Sequence, residues 1–188
     1  MPARSHHKYS DKYSGLKETP PVYQGSLIDS GPVNATLIEQ HQQAVASGNC
    51  RQTHFFNGRF ENTYIDIENI PSLQSVTDMV KFYAGQILAE DIETLKFGFW
   101  FNAMQPGNNT SLHTHEEYEE KLSAVYYISA PPDSGDLLIH NQIHSKDKII
   151  RITPVAGQIV MFRPEVPHEV ATNQSRELRL SVAFNFGL

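Results

Sequence analysis

The 188-residue chain is 39% hydrophobic and 19% charged, which describes a globular protein long enough to bury a core and excludes a disordered or membrane-embedded chain. Its net charge of −6 gives no electrostatic ground for binding nucleic acid or an anionic membrane, and no apolar run reaches spanning length. Cys50 is the lone cysteine, so an internal disulfide and a thiolate metal cluster are excluded, and a reducing, cytoplasmic setting suits the chain.

Residues 1–20 lean basic (Arg4, Lys8, Lys12, Lys17) and contain His6 and His7 but no apolar core of a secretory signal. They are expected to form a flexible tail, with a single domain over 21–188. Val22 to Ile28 reads as a short strand ended by Asp29-Ser30-Gly31-Pro32. Asn34 is the expected N-cap of a helix running to about Ala46, with Gly48 as its stop. After Pro71, the residues Leu73, Val76, Val80, Tyr83, Ala84 and Ile87 recur at helical spacing and give one apolar face. Residues 21–94 thus read as helical and strand support for a β-rich second half.

From Leu95 the pattern becomes one of strands. Leu95, Phe97, Phe99 and Phe101 alternate with Lys96, Gly98, Trp100 and Asn102, and Trp100 is assigned to the core. Further strands are expected at 122–129, 136–140, 148–152, 158–162, 168–172 and 177–186. Pro131-Pro132-Asp133-Ser134-Gly135 and Pro154-Val155-Ala156-Gly157 supply turns between them. Many short strands at close spacing predict a mainly β fold with flanking helices: a sandwich, barrel or jelly roll. In the last strand Leu178, Leu180, Val182, Phe184 and Phe186 share one face, and Arg179, Ser181, Ala183 and Asn185 share the other. That second face is either the floor of a polar cavity or a solvated exterior.

His113 and His115 stand two apart, so both project from one face if that segment is a strand. His168 comes from a later strand, and Arg179 eleven residues beyond it. Neutral imidazoles bind Fe(II), Zn(II), Mn(II) or Ni(II) and leave metal positions open, while an arginine can grip a carboxylate bidentately. His6, His7, His41 and His54 have no partner at ligand spacing, and His140 and His144 read as surface residues near a hairpin tip.

Several segments lie in one unbroken order between Phe99 and Phe186, about half of the chain. They are Trp100-Phe101-Asn102, Pro106-Gly107-Asn108, His113-Thr114-His115, Ser123 to Ile128, Ser134-Gly135-Asp136-Leu137, Pro154-Val155-Ala156-Gly157 with Val160-Met161-Phe162, Pro167-His168-Glu169-Val170, and Arg179-Leu180-Ser181 with Phe184-Asn185. In these the chain resembles the iron(II)- and 2-oxoglutarate-dependent oxygenases, and within them a group distantly similar to prolyl hydroxylases. The resemblance implies a double-stranded β-helix, a cupin-like jelly roll, over 95–188, with Fe(II) at one mouth. It implies His113 and His168 as metal ligands, and Arg179 and Ser181 on the distal carboxylate of 2-oxoglutarate as cosubstrate. It further implies a dioxygenase that hydroxylates an unactivated C–H bond of a small-molecule or peptidyl substrate, consuming dioxygen and releasing succinate and carbon dioxide. The oligomeric state stays open, a homodimer among the options. Asn102 and Tyr127 are candidates for further contacts to the cosubstrate.

The wider superfamily carries an acid two residues after the first ligand, where this chain has His115. A three-histidine site is the first choice, with Glu117 the alternative acid and Glu119 reachable if the strand bulges. The alternative reading is a cupin-type metalloprotein: a cosubstrate-free dioxygenase, isomerase or small-molecule binder. Gly107, His113, His115 and Glu119 approximate the first cupin motif, and Gly157, Pro164, His168 and Asn173 loosely echo the second. Arg179-Leu180-Ser181, which a cupin does not need, argues against it.

Overall fold

The computed structural model describes residues 11–115, 119–141 and 148–187. The first half holds β1 (Lys17–Thr19), β2 (Val22–Ser26), α1 (Gly31–Ala46), β3 (Arg51–Phe56), β4 (Arg59–Tyr64), a 3₁₀ turn at Ile67–Asn69 and α2 (Leu73–Leu88). The second half is built of strands: β5 (Lys96–Met104), β6 (Thr110–His113), β7 (Leu122–Ser129), β8 (Leu137–Asn141), β9 (Lys148–Ile152), β10 (Gln158–Phe162), β11 (His168–Val170) and β12 (Arg179–Gly187). The strands pair antiparallel in an eight-stranded sheet ordered β1-β2-β10-β7-β12-β5-β4-β3 and a four-stranded sheet ordered β6-β11-β8-β9. Among the described residues no helix is long and apolar enough to cross a membrane.

The large sheet is covered on both faces. Leu73, Val76, Met79, Val80 and Tyr83 of α2 and Leu37 of α1 pack with Phe101, Ala124, Tyr126, Val182, Phe184 and Phe186 in one apolar cluster. Its other face meets the small sheet, where Tyr127, Val160 and Phe162 pack with Leu137, Ile139 and Ile152. Side-chain alternation along each strand therefore sends one residue to the helices and the next toward the space between the sheets.

Asn34 is not the N-cap of α1. The helix starts at Gly31 with Pro32 in its first turn, where a missing N–H costs nothing. Asn34 is instead buried inside the helix, and its Oδ1 accepts a 2.7 Å hydrogen bond from the buried Tyr126 hydroxyl of β7. Asn34→Ala removes one of the two side-chain partners of that hydroxyl, Ser30 being the other, and is expected to cost about 1 kcal/mol. A urea midpoint equal to wild type would contradict this.

Two other expectations are corrected. The stretch 11–20, expected within a flexible tail, is ordered against the sheet: Tyr13 is buried and bridges to Leu27, and β1 adds to the edge of the large sheet, while residues 1–10 lie outside the described residues. The β3–β4 hairpin is an addition to the expected strands, and Asn57-Gly58 at its tip has the paired positive φ values (47° and 80°) of a tight hairpin turn. Gly135 is required by close approach as well as by its φ of +97°. A Cβ there would strike the Ala171 carbonyl, and the neighbouring Ala171 N–H donates to Asp136 O at 2.9 Å.

Candidate metal centre

His113 at the end of β6 and His168 at the start of β11 are directly opposed across the two strands, and their rings lie 4.2 Å apart between centroids. Opposed residues on antiparallel neighbours share a face, so the sheet alone brings this pair together. His115 sits two residues past the end of β6. Its backbone N–H donates to Pro164 O at 2.9 Å, which brings its ring to 4.9 Å from His113 and 5.0 Å from His168. One ligand nitrogen from each of the three lies within 4.8 Å of the others, the arrangement of a metal site. Glu117 lies outside the described residues. Glu119 is exposed, with a left-handed φ of 60°.

Carbonyl oxygens set the tautomers of two of these rings. His113 Nδ1 donates to Ser111 O at 2.7 Å and His168 Nδ1 donates to Val166 O at 3.0 Å, which leaves each Nε2 lone pair for a metal. Burial, then the neighbouring His113, pushes His115 down to about 4 and His168 to about 3. Burial likewise lowers His41, which packs on Phe101 behind the sheet. His115 and His168 are thus neutral at pH 7, as ligation by imidazole demands.

The same shifts set the acid sensitivity of the metal-free chain. Unfolded, each histidine takes a proton below about pH 6.5, while in the fold His115 and His168 do so only near 4 and 3. The unfolded state therefore binds more protons across that window. Stability is fully present above about pH 6.5 and falls as the pH drops toward 4 and 3, by on the order of 1–2 kcal/mol per histidine at pH 5. Urea midpoints of the metal-free protein at pH 7 and pH 5 check this, and an unchanged midpoint would be the contrary result.

A cavity of about 710 Å³ opens beside the histidines, floored by the large sheet. Arg179, Ser181, Ala183 and Asn185 of β12 all line it, so the polar face of the last strand is a cavity floor and not a solvated exterior. Ser181 stands opposite Asn102 on β5 and opposite Tyr127 on β7, so all four residues named for the cosubstrate meet in two adjacent rows. Arg179 is 2% exposed; its Nη1 lies 2.9 Å from Met104 Sδ, and its guanidinium carbon is 5.2 Å from the Tyr127 ring. Desolvation lowers its pKa while Tyr127 and Asp136 oppose the change, and an arginine keeps its charge through such shifts.

Around this cation, Arg179 Nε and Thr110 Oγ1 are buried with no hydrogen-bond partner, the Tyr127 hydroxyl faces the guanidinium, and all three residues line the cavity. Burying donors unmade costs free energy that a bound acceptor would recover. Thr110, Met104 and Arg59 join the site without any sequence signal of their own. Arg59 donates to Asn109 O at 3.1 Å and to Asn102 Oδ1 at 3.5 Å while pairing with Glu61, and it adds positive charge beside Arg179. Trp100, assigned to the core, in fact lines the cavity 5.7 Å from the His115 ring. His54, given no role, lines it as well.

Residues 98–185 match the family described as "Putative 2OG-Fe(II) oxygenase". Over that segment, just under half of its length, the chain is similar to the 2OG-Fe(II) oxygenases. Among curated protein sequences none matches this chain. Solved structures similar to this chain include a Pseudomonas putida prolyl-4-hydroxylase, at 24% identity over 88% of this chain and 91% of that one, TM-score 0.65. A prolyl hydroxylase from Trichoplax adhaerens in complex with a hypoxia inducible factor peptide fragment matches at 14% identity over 89% and 84%, TM-score 0.64. The α-ketoglutarate-dependent epimerase SnoN from nogalamycin biosynthesis matches at 12% identity over 89% and 77%, TM-score 0.69. At these identities the likeness is one of fold, the double-stranded β-helix.

The residues present fit the two groups that the family name implies. Three imidazoles with lone pairs converging suit Fe(II), and unpaired donors around a buried guanidinium suit a carboxylate.

Proposed function

We propose that the protein is an Fe(II)- and 2-oxoglutarate-dependent dioxygenase that hydroxylates an unactivated C–H bond of a small-molecule or peptidyl substrate. The observation that carries this reading is the pairing of a three-histidine cluster with a buried arginine whose Nε has no partner in the same cavity. His113, His115 and His168 would hold the metal, and Arg179 with Ser181 would hold the distal carboxylate of the cosubstrate. Bound together, iron and 2-oxoglutarate supply the oxidising chemistry, converting the keto acid and dioxygen to succinate and carbon dioxide while an oxygen atom is delivered to the substrate.

The chain's own contribution is orientation and exclusion of water. The Nδ1 bonds to Ser111 O and Val166 O hold two imidazole planes so that Nε2 faces the cavity. Arg179 offers a fixed fork of donors in a site shielded from water, where a charge-assisted bond is strongest. Asn102 and Tyr127, which flank Ser181, would add hydrogen bonds to the same ligand. Arg59 holds Asn102 by its Oδ1, leaving the amide N–H groups to point elsewhere.

The test is spectroscopic. Anaerobic addition of Fe(II) and 2-oxoglutarate to the purified protein should raise a visible metal-to-ligand charge-transfer band, and admission of air should yield succinate. Neither band nor succinate appearing would reject the reading.

A further inference from the structure

The cavity floor changes its chemistry in steps along β12, and strand register carries each step across the sheet. The two inner rows, at Arg179 and Ser181, are the ones assigned above to the cosubstrate. The next row is apolar: Trp100 and Val125 stand opposite Ala183 on either side, with Trp100 nearest to His115. Beyond it Gly98 and Ser123 flank Asn185 in the same way. Ser123 donates to Asn185 Oδ1 at 2.9 Å, and the Asn185 amide N–H reaches Glu120 at 3.5 Å. A Cβ built on Gly98 would meet nothing within 4 Å, so this row borders open space and not a packed wall.

We propose that these two outer rows are the substrate's subsite, and that the group they accept is an uncharged aliphatic or ring moiety carrying one amide or hydroxyl handle. This rests on the oxygenase reading of the centre. The Trp100 ring, widened by its contact with Tyr64 at 6.4 Å, offers a flat apolar face to C–H groups, and Ala183 is too small to crowd them. A group lying on that face sits beside His115, hence beside the reacting centre. Asn185 Oδ1 has a second lone pair for one N–H or O–H donor. Of the charged groups that line the cavity nearby, Glu61 is paired with Arg59, Glu120 accepts from the Asn185 amide, and Lys96 is exposed. The row of Trp100, Val125 and Ala183 offers a charged substrate group no counter-charge, so seating one on it is an unfavourable transfer.

Trp100 is the only tryptophan in the chain, so its emission reports on this row alone. The protein loaded with Zn(II) and 2-oxoglutarate is titrated with three probes of one shape: cyclohexanecarboxamide, cyclohexylammonium and cyclohexanecarboxylate. The carboxamide should change the emission saturably and bind at least about tenfold tighter than either ion, a difference of about 1.4 kcal/mol. Gly98→Leu fills the open space and should weaken carboxamide binding by at least about tenfold. Asn185→Ala should narrow the gap between the carboxamide and the ions. In both variants the affinity for 2-oxoglutarate, read from the Fe(II) charge-transfer band, should stay within about twofold of wild type, with melting temperature as the control for folding. Equal or tighter binding of either ion, no saturable response to the carboxamide, or indifference to Gly98→Leu would overturn the proposal. If the charge-transfer band never forms in wild type, the oxygenase reading falls, while the probe series on the zinc-loaded protein still decides the subsite.

Discussion

His168→Ala is expected to weaken Fe(II) binding by at least about a hundredfold and to abolish both the charge-transfer band and succinate formation. The reason is geometric. His168 is 5% exposed, opposes His113 directly across β6 and β11, and packs at a tilt against Phe162 at 4.6 Å, so its ring is held in place on the cavity wall. Anaerobic metal titration gives the number, and a retained wild-type affinity would remove His168 from the centre. His115→Ala, measured beside it, settles which residue completes the site. If His115 is the third ligand, this variant also loses the metal by a factor of that order. If Glu117 is, the metal stays and only the surroundings of Trp100 change.

The second large effect is at the other end of the cavity. Arg179→Met keeps most of the side chain's bulk and removes its charge. Affinity for 2-oxoglutarate should fall by about 2–4 kcal/mol, roughly 30- to 1000-fold, while Fe(II) affinity stays within about threefold. Arg179→Lys should recover only part of the loss, because an ammonium cannot match the paired donors of a guanidinium. Stability should move the opposite way. Without its ligand Arg179 is a desolvated cation with no carboxylate in contact, held only by the Met104 thioether and Tyr127, so ligand-free Arg179→Met should melt at or above wild type. Loss of the metal together with the cosubstrate, or no loss of the cosubstrate at all, would refute the assignment of Arg179.

How much of the fold and site is legible in the sequence depends on how local each cause is. The two faces of β12 follow from period-2 alternation and can be read directly, down to Arg179 and Ser181 sharing a side. Trp100 has the same parity as Asn102 on β5, so alternation also points it into the cavity, and its size argues misleadingly for the core. The Asn57-Gly58 turn of the β3–β4 hairpin is likewise present in the sequence, but its flanking strands mix polar residues with Phe55 and Phe60 and show no clean alternation. Asn34 misleads for the opposite reason. Its capping propensity is a local signal, outweighed by Pro32 in the first helical turn and by a Tyr126 hydroxyl 92 residues away. The place of His115 depends on a bond to Pro164, and the nearness of Arg59 to Arg179 depends on hairpin packing. No spacing rule reaches either.

The alternation of β12 has an evolutionary reading. Leu180, Val182, Phe184 and Phe186 face the helices and answer for folding, whereas Arg179, Ser181, Ala183 and Asn185 face the cavity and answer for chemistry. Each class of residue is screened from the other by the backbone itself. A substitution in the cavity-facing set can therefore change the chemistry, at the inner positions proposed for the cosubstrate or at the outer ones proposed for the substrate, without disturbing the apolar set that keeps the strand in place. A single strand thus lets specificity change while the fold is conserved.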